Sequence, residues 1–564
     1  MGENNLQKGW TECSIGEILL TKKGKKPSTT INEPRVGYIP YILIDEMEGK
    51  PIRAFTNDPK VSIVDESEVL LVWDGSIGKC GSGLNGAIGS TLVSLKALGN
   101  IPTKFLEYTI RQQNNFIKET STGTGLQHIN KDFFEICKIP LPPLPEQQRI
   151  VVKLDALMLK VEINKLRLTK IPKLLKHFRQ SVLAAAVNGR LSEDWRIINK
   201  DKKTIFENIE GIRERRKLDY ENLIKEMALQ GKSKPRKPEN ILPVVQTNDD
   251  FPLTWGTMTF SDISSTKQYS MSSGPFGSSL GTKDYRANGI PVVRGQNIQG
   301  GVFIAKNFVF ISNEKAIELT RSSAVPNDIV IVAVGAGVGN SAIIPNEIEK
   351  IILSQNCNKF TLDKNIVIPR FILFNLQVSV LKEQMDDVTT DTAREFLSLT
   401  NLKKLVFPIP PYEEQKEIVR KVEQLFAFAD KIENRYFKAK TIIDKIPQSI
   451  LSKAFRGELV PQDPNDEPAS ELLKKIKEEK EKIITERKSI KRKPNKIDKS
   501  KATCKFNDIL GYLKSVNQPV TQSDILKQVK INVNDYLIQL NDLLDKKLIK
   551  KNNIDSQVYY ELIL

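Results

Sequence analysis

The stretch Pro140-Leu-Pro-Pro-Leu-Pro-Glu-Gln-Gln-Arg-Ile-Val151 decides the fold of this chain, because it occurs twice. It recurs as Pro408-Ile-Pro-Pro-Tyr-Glu-Glu-Gln-Lys-Glu-Ile-Val419, and the spacing stays the same as far as Gly189 and Gly457. A proline pair neither continues a sheet nor sits inside a helix, whereas the glutamate of each copy suits the positive start of a helix. Each copy therefore predicts an extended proline segment that leads into a helix.

The apolar residues of these helices recur at alternating spacings of four and three. In the first copy they begin with Ile150, Leu154 and Leu157, and the second copy has a similar pattern. This spacing is typical of a coiled-coil seam, and the final glycines are natural stops. The sequence therefore predicts two spacer helices, within residues 140–191 and 408–459. Each should have roughly 40 residues, or roughly 60 Å at 1.5 Å per residue.

The composition indicates a large, basic protein. The chain has 564 residues, so three or four domains are expected. Its formal charge of +17 favours a polyanion such as nucleic acid as a partner. Five widely separated cysteines and two histidines argue against a disulfide framework, a zinc site and most catalytic triads. The sequence contains no leader and no long apolar run, so a cytoplasmic protein without a membrane partner is expected.

The residues before each spacer helix predict a β-rich globule that also contains helix. Residues 1–139 hold short β-type runs separated by Gly and Asp turns. Residues 246–407 repeat this order with different residues, and Trp255-Gly-Thr-Met-Thr-Phe-Ser-Asp-Ile263 resembles Trp10-Thr-Glu-Cys-Ser-Ile-Gly-Glu-Ile18. The frames agree while the loops differ. This is the pattern expected of two recognition domains that share a fold and bind different targets.

The segments that follow the two spacer helices are charged. Residues 192–245 are helix-prone and end in Lys232-Ser-Lys-Pro-Arg-Lys-Pro238, and residues 460–504 are basic. Their composition predicts a charged helical linker and a basic linker, each either a solvated tether or a nucleic-acid contact. Residues 505–564 predict three helices followed by a hairpin, an order that resembles a winged helix.

The chain carries near-misses of three catalytic motifs. Ile409-Pro-Pro-Tyr412 has isoleucine where amino-methyltransferases place Asn or Asp. The glycines of Val334-Gly-Ala-Gly-Val-Gly339 have the wrong spacing for a dinucleotide fingerprint, and the stretch Gly274 to Lys283 lacks the order of a phosphate loop. The sequence therefore predicts no catalytic residue, metal site or cofactor in this chain, and any catalysis is expected from partners.

The repeated Pro-Pro-x-x-Glu-Gln segments, with two variable globules alternating with two equal helices, resemble the specificity subunit of type I restriction-modification systems. The resemblance covers roughly residues 8–465, and Ser273-Gly-Pro-Phe-Gly-Ser-Ser-Leu280 is similar to a common opening of that family's target recognition domains. It implies an α+β chain in which two mixed β-rich target recognition domains are joined by two long antiparallel coiled-coil helices. The small C-terminal winged-helix-like domain lies outside the usual pattern.

The resemblance implies a DNA reader without an active site of its own. Each globule would read one half of a bipartite target in double-stranded DNA, and the helices would set the gap. In that family two methyltransferase subunits dock on the helices and methylate adenine using S-adenosylmethionine, and ATP-driven restriction (translocase-nuclease) subunits join to cut unmethylated DNA. The predicted partner-docking residues are Pro143, Glu146, Gln147, Pro411, Glu414 and Gln415.

Polar side chains on loops are needed to read base edges, and basic ones are needed to hold phosphates. A solvated or structural role is an equal alternative for each candidate, and direct readout is assigned to Arg294 and Gln296. Two other functions stay open: a stand-alone DNA methyltransferase or nuclease, and a coiled-coil scaffold whose globules bind protein. The candidate DNA-binding residues are Lys22, Lys23, Lys25, Lys26, Thr124 and Gln127 in the first globule, and Ser278, Ser279, Lys283, Tyr285, Arg294, Gln296, Asn297 and Arg394 in the second.

Overall fold

The structure is a computed structural model of the chain. Contacts divide the chain into two units, Met1–Ile163 with Ile443–Leu564, and Asn164–Ile442. The residues that the structure describes are 6–123, 125, 127–201, 203–335, 337–378, 383–385, 396–492, 508–516, 519–521, 524–525, 529, 533–554 and 557–563.

The first globule lies in the first unit and consists of short strands and helices. Its strands are β1 (Thr11–Ser14), β2 (Leu19–Lys23), β3 (Ile39–Ile42), β4 (Phe55–Thr56), β5 (Ser62–Val64), β6 (Glu68–Val72), β7 (Cys80–Ser82), β8 (Gly86–Ile88), β9 (Leu92–Ala97) and β10 (Lys138–Leu141). Its helices are α1 (Ile44–Met47), α2 (Thr103–Gln112), α3 (Asn114–Glu119) and α4 (Phe133–Ile136).

Two four-stranded sheets form the first globule. One has the order β2-β9-β6-β7 with antiparallel neighbours, and the other has the order β4-β3-β8-β5 with β3 parallel to β8. Strand β6 is wholly buried, and its residues after Glu68 are all apolar, as expected for a strand covered on both faces. Separately, β1 pairs with β10, so the chain begins and ends the globule at one place.

The first of the two predicted spacer helices is α5 (Leu144–Val187), which follows the proline segment directly. We call it the first rod helix. Pro145 lies in its first turn, where the missing N–H costs nothing. Gly189 has a left-handed φ of +81°, which a glycine adopts freely and which stops the helix. Two further helices follow, α6 (Glu193–Ile198) and α7 (Ile205–Leu229).

The segment after the first rod helix is not a free tether. Its helix α7 buries Ile205, Ile209 and Ile212 in the core of the second globule. These residues recur at helical spacing, so they form one apolar face, and the charged residues that suggested a linker occupy the rest of the surface. The linker prediction for 192–245 is therefore wrong for the residues of α7.

The second globule lies in the second unit. Its strands are β11 (Gly256–Thr259), β12 (Met271–Ser273), β13 (Ile290–Val293), β14 (Ile298–Gln299), β15 (Val302–Phe303), β16 (Val309–Ile311), β17 (Ser323–Ala324), β18 (Ile329–Val332), β19 (Ser341–Ile343), β20 (Ile351–Leu353), β21 (Cys357–Phe360) and β22 (Val406–Ile409). Its helices are α8 (Phe260–Ile263), α9 (Asn313–Glu318), α10 (Pro369–Leu376) and α11 (Leu399–Leu402).

The second globule repeats the strand order of the first. One sheet has the order β12-β21-β18-β19, and the other has the order β16-β13-β20-β17 with β13 parallel to β20. As β1 pairs with β10, so β11 pairs with β22. The extra β14–β15 hairpin distinguishes the second globule. The duplication inferred from the sequence is thus visible in the topology, and the α+β class is confirmed.

The second rod helix is α12 (Tyr412–Ala454), and it is followed by α13 (Ala469–Arg492). Helix α13 buries Ala469, Leu472 and Ile476 in the core of the first globule. The side chain of Lys480 also donates to the carbonyl oxygen of Gly16. The basic-linker prediction for 460–504 is wrong for this helix, because one apolar face packs while Lys474, Lys475, Lys477 and Lys482 stay exposed.

The C-terminal tail has its own small core. It contains α14 (Ile509–Val516), β23 (Val520–Thr521), α15 (Val533–Asp545), β24 (Ile549–Ile554) and β25 (Gln557–Leu562), and the sheet order is β23-β25-β24. Ile509, Leu513, Tyr536 and Tyr560 are buried together. Most of the helix expected between Thr521 and Val529 lies outside the described residues, so the winged-helix assignment stays a prediction.

Candidate nucleic-acid interface

Three segments meet at one end of the antiparallel sheet of the first globule. Strand β2 ends there, β6 ends there, and residues 127–129 return to the same place. The return is fixed by backbone bonds, because the N–H of Gly75 donates to the oxygen of Gln127 at 2.8 Å and that of Ile129 donates to the oxygen of Trp73 at 3.0 Å. We call this place the loop end of the first globule. It holds the candidates Lys23, Lys25, Lys26 and Gln127, and all four are exposed.

The four candidate lysines of the first globule have different surroundings. The ammonium of Lys22 donates to the carbonyl oxygen of Ile63 at 2.6 Å and lies 4.0 Å from the buried carboxylate of Glu68. Lys22 is therefore held to the globule, whereas Lys25 and Lys26 lie on the exposed loop after β2. Basic side chains on such a loop suit phosphate contacts.

A carboxylate holds the loop that carries Lys25 and Lys26. Asp58 accepts from the backbone N–H of Ser28 at 2.8 Å, from its hydroxyl at 2.7 Å and from the N–H of Lys60 at 2.8 Å. These bonds to the charged form lower the pKa of Asp58 to about 2. The loop is thus fixed two residues beyond the lysines.

The loop end also contains an ion pair that sequence reasoning missed. Nδ1 of His128 lies 2.7 Å from Oδ1 of Asp74, and the ammonium of Lys23 lies 3.6 Å from Oδ2 of the same carboxylate. Asp74 was interpreted only as part of a turn, and His128 follows a loop of which only Gln127 and Thr124 were candidates. The one available signal was that His128 is the sole histidine of the first globule.

The candidates of the second globule fall into two groups. Ser278, Ser279 and Lys283 are exposed on the loop that follows β12, whereas Tyr285 is half-buried and packs against the small core that contains Val292. The first three are therefore accessible to a ligand. Tyr285 contributes to the small core under this loop.

Arg294, Gln296 and Asn297 serve the globule's own backbone. Asn297 is buried, and its amide donates to the carbonyl oxygens of Ile304 at 3.0 Å and Lys306 at 2.8 Å. Arg294 and Gln296 both donate to the oxygen of Asn307, at 2.9 and 3.1 Å. Asn297 is therefore a structural residue, since its side chain is inside and its amide is occupied. Arg294 and Gln296 support the same loop in this structure.

Two predicted site residues, Thr124 and Arg394, lie outside the described residues. Among the described ones, there is no group of three or more His, Cys, Asp and Glu side chains that could hold a metal ion. None of the described helices has the length and apolar character needed to span a bilayer.

The six predicted docking residues at the starts of the rod helices are all buried. Glu146 accepts from the indole N–H of Trp10 at 2.9 Å, and its burial raises its pKa. Glu414 accepts from the hydroxyl of Ser192 at 2.7 Å and from the guanidinium of Arg196 at 2.6 Å. Each glutamate therefore ties the start of a rod helix to a neighbouring segment of its own unit.

The repeated glutamines close the proline segments. Gln147 donates to the carbonyl oxygen of Pro142 at 2.9 Å, and Gln415 donates to that of Pro410 at 3.0 Å. Because buried, internally bonded side chains are not exposed to a partner, we replace the docking assignment of Pro143, Glu146, Gln147, Pro411, Glu414 and Gln415 by a structural one. The motif recurs because it shapes the start of each rod helix.

Comparison with known proteins agrees with this duplicated architecture. A family model described as type I restriction modification DNA specificity domain matches residues 7–173 and 253–439, once for each globule with part of its rod helix. The type I restriction enzyme EcoBI specificity subunit of Escherichia coli is 32% identical over 386 residues, which are 67% of this chain and 72% of that protein. The EcoKI specificity subunit of Escherichia coli (strain K12) is 26% identical over 513 residues, 85% of this chain and 97% of that protein.

Solved structures agree on the fold. A chain from a study of complex assembly and conformational transition of the type I R-M system has a TM-score of 0.52 at 18% identity, and the match covers 80% of this chain and 99% of that chain. The resemblance inferred from the sequence is confirmed: this chain belongs to the type I restriction-modification DNA specificity domain family.

Proposed function

We propose that this chain is the DNA-recognition subunit of a type I restriction-modification complex and that it reads a bipartite target in double-stranded DNA. The observation that carries the proposal is the duplication: one strand order occurs twice, each copy leads into a long helix, and the loops differ between the copies. Two globules with one frame and different loops suit two different half-sites. The chain supplies recognition, and catalysis comes from its partners.

The rod helices set the gap between the half-sites in this proposal. In the first unit Ile150 and Leu154 share a core with Leu451 and Ala454, so the start of α5 lies beside the end of α12. In the second unit Val182 and Ala186 share a core with Ile418 and Val422, so the end of α5 lies beside the start of α12. Both sets of contacts support an antiparallel pair.

Two methyltransferase subunits and the restriction subunits are the proposed protein partners. Docking falls on exposed apolar residues of the first rod helix rather than on the buried residues at its start. Val152 and Leu159 are 71% and 62% exposed and lie seven residues apart, on one face of α5. Large apolar side chains left in water along a basic helix suit an apolar partner surface with acidic flanks.

The test is sequencing of methylated adenines in DNA from cells that express this chain with its methyltransferase partner. Cells that express the partner alone are the control. We expect a two-part motif with a fixed gap only when this chain is present. A folded complex that leaves no motif would contradict the proposal, and so would methyl transfer by the purified chain alone.

A further inference from the structure

The two globules can be compared residue by residue at their loop ends. In the first globule Lys23 and Leu71 both pair with Val93, and in the second Ser273 and Ile331 both pair with Asn358. Ser273 therefore stands where Lys23 stands. Counting three residues on from Leu71 and from Ile331 makes Val334 the equivalent of Asp74.

An isolated backbone bridge confirms the equivalence of the next pair. Asp74 is bridged to His128, and Val334 is bridged to Phe396, in both cases antiparallel. Three positions of the shared fold therefore correspond. The first globule has Lys23, Asp74 and His128 at these positions, and the second globule has Ser273, Val334 and Phe396. The backbone is retained, whereas the side chains change from charged or ionisable in the first globule to uncharged in the second.

The three residues of the first globule contact one another and are partly exposed to solvent. The side chain of His128 is 45% exposed and that of Lys23 is 60% exposed, whereas that of Asp74 is only 18% exposed. Asp74 thus serves as the support beneath two exposed groups. When Nδ1–H of His128 donates to this carboxylate, Nε2 of the neutral imidazole is left as an acceptor.

We propose that Lys23, Asp74 and His128 form a base-reading site of the first globule, with Asp74 as the positioning residue. This inference rests on the proposed function and names the chemistry of one contact. An imidazole Nε2 acceptor recognises an exocyclic amine, which adenine and cytosine present in the major groove. The ammonium of Lys23 donates to an adjacent base edge or phosphate. In the second globule Val334 and Phe396 suit a thymine methyl group, and an imidazole acceptor and an ammonium donor are absent from these three positions.

The test uses His128→Phe, which installs the side chain of the second globule, in the complex with the methyltransferase partner. We expect discrimination at one base position of one half-site to fall by about tenfold, since one lost base contact is worth roughly that factor. The other half-site and the gap should stay unchanged. The readouts are the methylation motif and binding to duplexes that each carry one altered base.

A second variant, Asp74→Asn, keeps the size of the support and removes its charge, and it should relax the same base position. His177→Phe is the matched control, because His177 is the other histidine and is exposed on α5. Thermal unfolding of each variant establishes that the chain folds. Weaker binding that is uniform across all duplexes, with the motif unchanged, would overturn the base-reading site alone. Failure of the unaltered complex to produce any two-part motif would instead remove the proposed function and this site with it.

Discussion

At the scale of single residues, Asp58 fixes the loop that presents Lys25 and Lys26. Its folded pKa of about 2 lies below the ordinary value of 3.8, so the bonds from Ser28 and Lys60 stabilise the folded chain when the carboxyl is charged. That contribution is complete above pH 3.8 and is lost as the pH falls towards 2. We expect Asp58→Asn to lower stability at pH 7 and to weaken DNA binding through the displaced lysines.

The measurement is the pH dependence of unfolding for Asp58→Asn against the unaltered chain. The difference in stability should be constant above about pH 4 and should shrink below it. A comparison with Asp45→Asn is informative, because the carboxylate of Asp45 accepts from the exposed side chains of Lys50 and Arg53. An Asp58→Asn difference that persisted at pH 2 would contradict the assignment.

The backbone of Gly274, directly after β12, lies very close to the backbone of Ser354. A Cβ on Gly274 would overlap the carbonyl oxygen of Ser354, and one on the equivalent Gly24 would overlap that of Gly89. These oxygens cannot move aside cheaply, because each accepts a backbone hydrogen bond in a turn, Ser354 from Cys357 and Gly89 from Leu92. We expect Gly274→Ala to destabilise the chain by about 1–3 kcal/mol, the usual cost of overpacking.

Chemical denaturation measures this cost. Gly281→Ala is the control, since a Cβ there meets nothing within 4 Å and the backbone is extended. Equal stability of the two variants would show that the close approach is not a constraint.

At the scale of elements, Arg216 attaches α7 to the second globule. Its buried guanidinium donates from Nε to Oδ2 of Asp363 at 3.0 Å and from its other nitrogens to the carbonyl oxygens of Asn240 and Ser264. Without Arg216, Asp363 keeps the guanidinium of Arg215, 2.9 Å from the same carboxylate oxygen, but the carbonyl oxygen of Asn240 loses its buried donor. We therefore expect Arg216→Ala to lower the free energy of unfolding by about 1–3 kcal/mol, the usual cost of leaving buried hydrogen-bonding groups without partners.

Urea unfolding of the full chain measures the loss. Lys217→Ala changes the exposed neighbour on the same helix and should cost less than about 0.5 kcal/mol. A cost for Arg216→Ala as small as that of the control would mean that α7 is held by its isoleucines alone.

The exposed apolar residues of α5 give a second prediction at this scale. We expect Val152→Asp with Leu159→Asp to reduce copurification of the methyltransferase subunit by at least tenfold, because charges would be placed in an apolar contact. Lys160→Asp changes a neighbouring exposed residue that is not apolar and should have a smaller effect. Unchanged copurification of the double variant would move the docking surface elsewhere.

At the scale of the whole molecule, the length of the rod helices should determine the gap in the target. Removal of seven residues from the middle of both α5 and α12 shortens each by two turns, or about 10 Å. Since DNA rises about 3.4 Å per base pair, the recognised gap should shorten by about three base pairs. Motif sequencing of the methylated DNA measures it directly.

The matched control replaces the same seven residues of each helix with alanine and keeps the length. It should leave the gap as it is, even if stability falls. A gap that ignored the deletion would show that the helices do not act as a ruler.

The parts of this architecture that could be predicted from the sequence are those with a local signature. Pro142-Pro143, the apolar spacing and Gly189 predict the first rod helix, and the same features recur in the second copy. The repeated order of strand-like segments predicts the two globules. The packing of α7 was missed because charge dominates its composition, while only every third or fourth residue touches the core. Burial of Glu146 was missed because a carboxylate beside Trp10 depends on residues far apart in the chain.

The contacts at the loop ends depend on long-range geometry in the same way. Lys23, Asp74 and His128 are separated by about fifty residues each time. A backbone bridge joins Asp74 to His128, and strand pairing places Lys23 beside them, so their proximity follows from sheet register rather than from any motif. Asn297 is an example of the opposite error: its polar side chain suggested a DNA contact, but it is buried and bonded to the backbone of its own globule. Sequence pattern identifies which loops differ, whereas only the fold identifies which side chains remain available.

The pairing of the first and last strands of each globule has a consequence for how such a protein can diversify. Because β1 lies beside β10 and β11 lies beside β22, each globule is a cassette whose two connections to the remainder of the chain are adjacent. Exchange of everything between such paired strands leaves the distance between the connections unaltered. Recombination at the repeated proline segments would therefore replace one globule, and with it one half-site specificity, while the other globule and the rod helices stay the same.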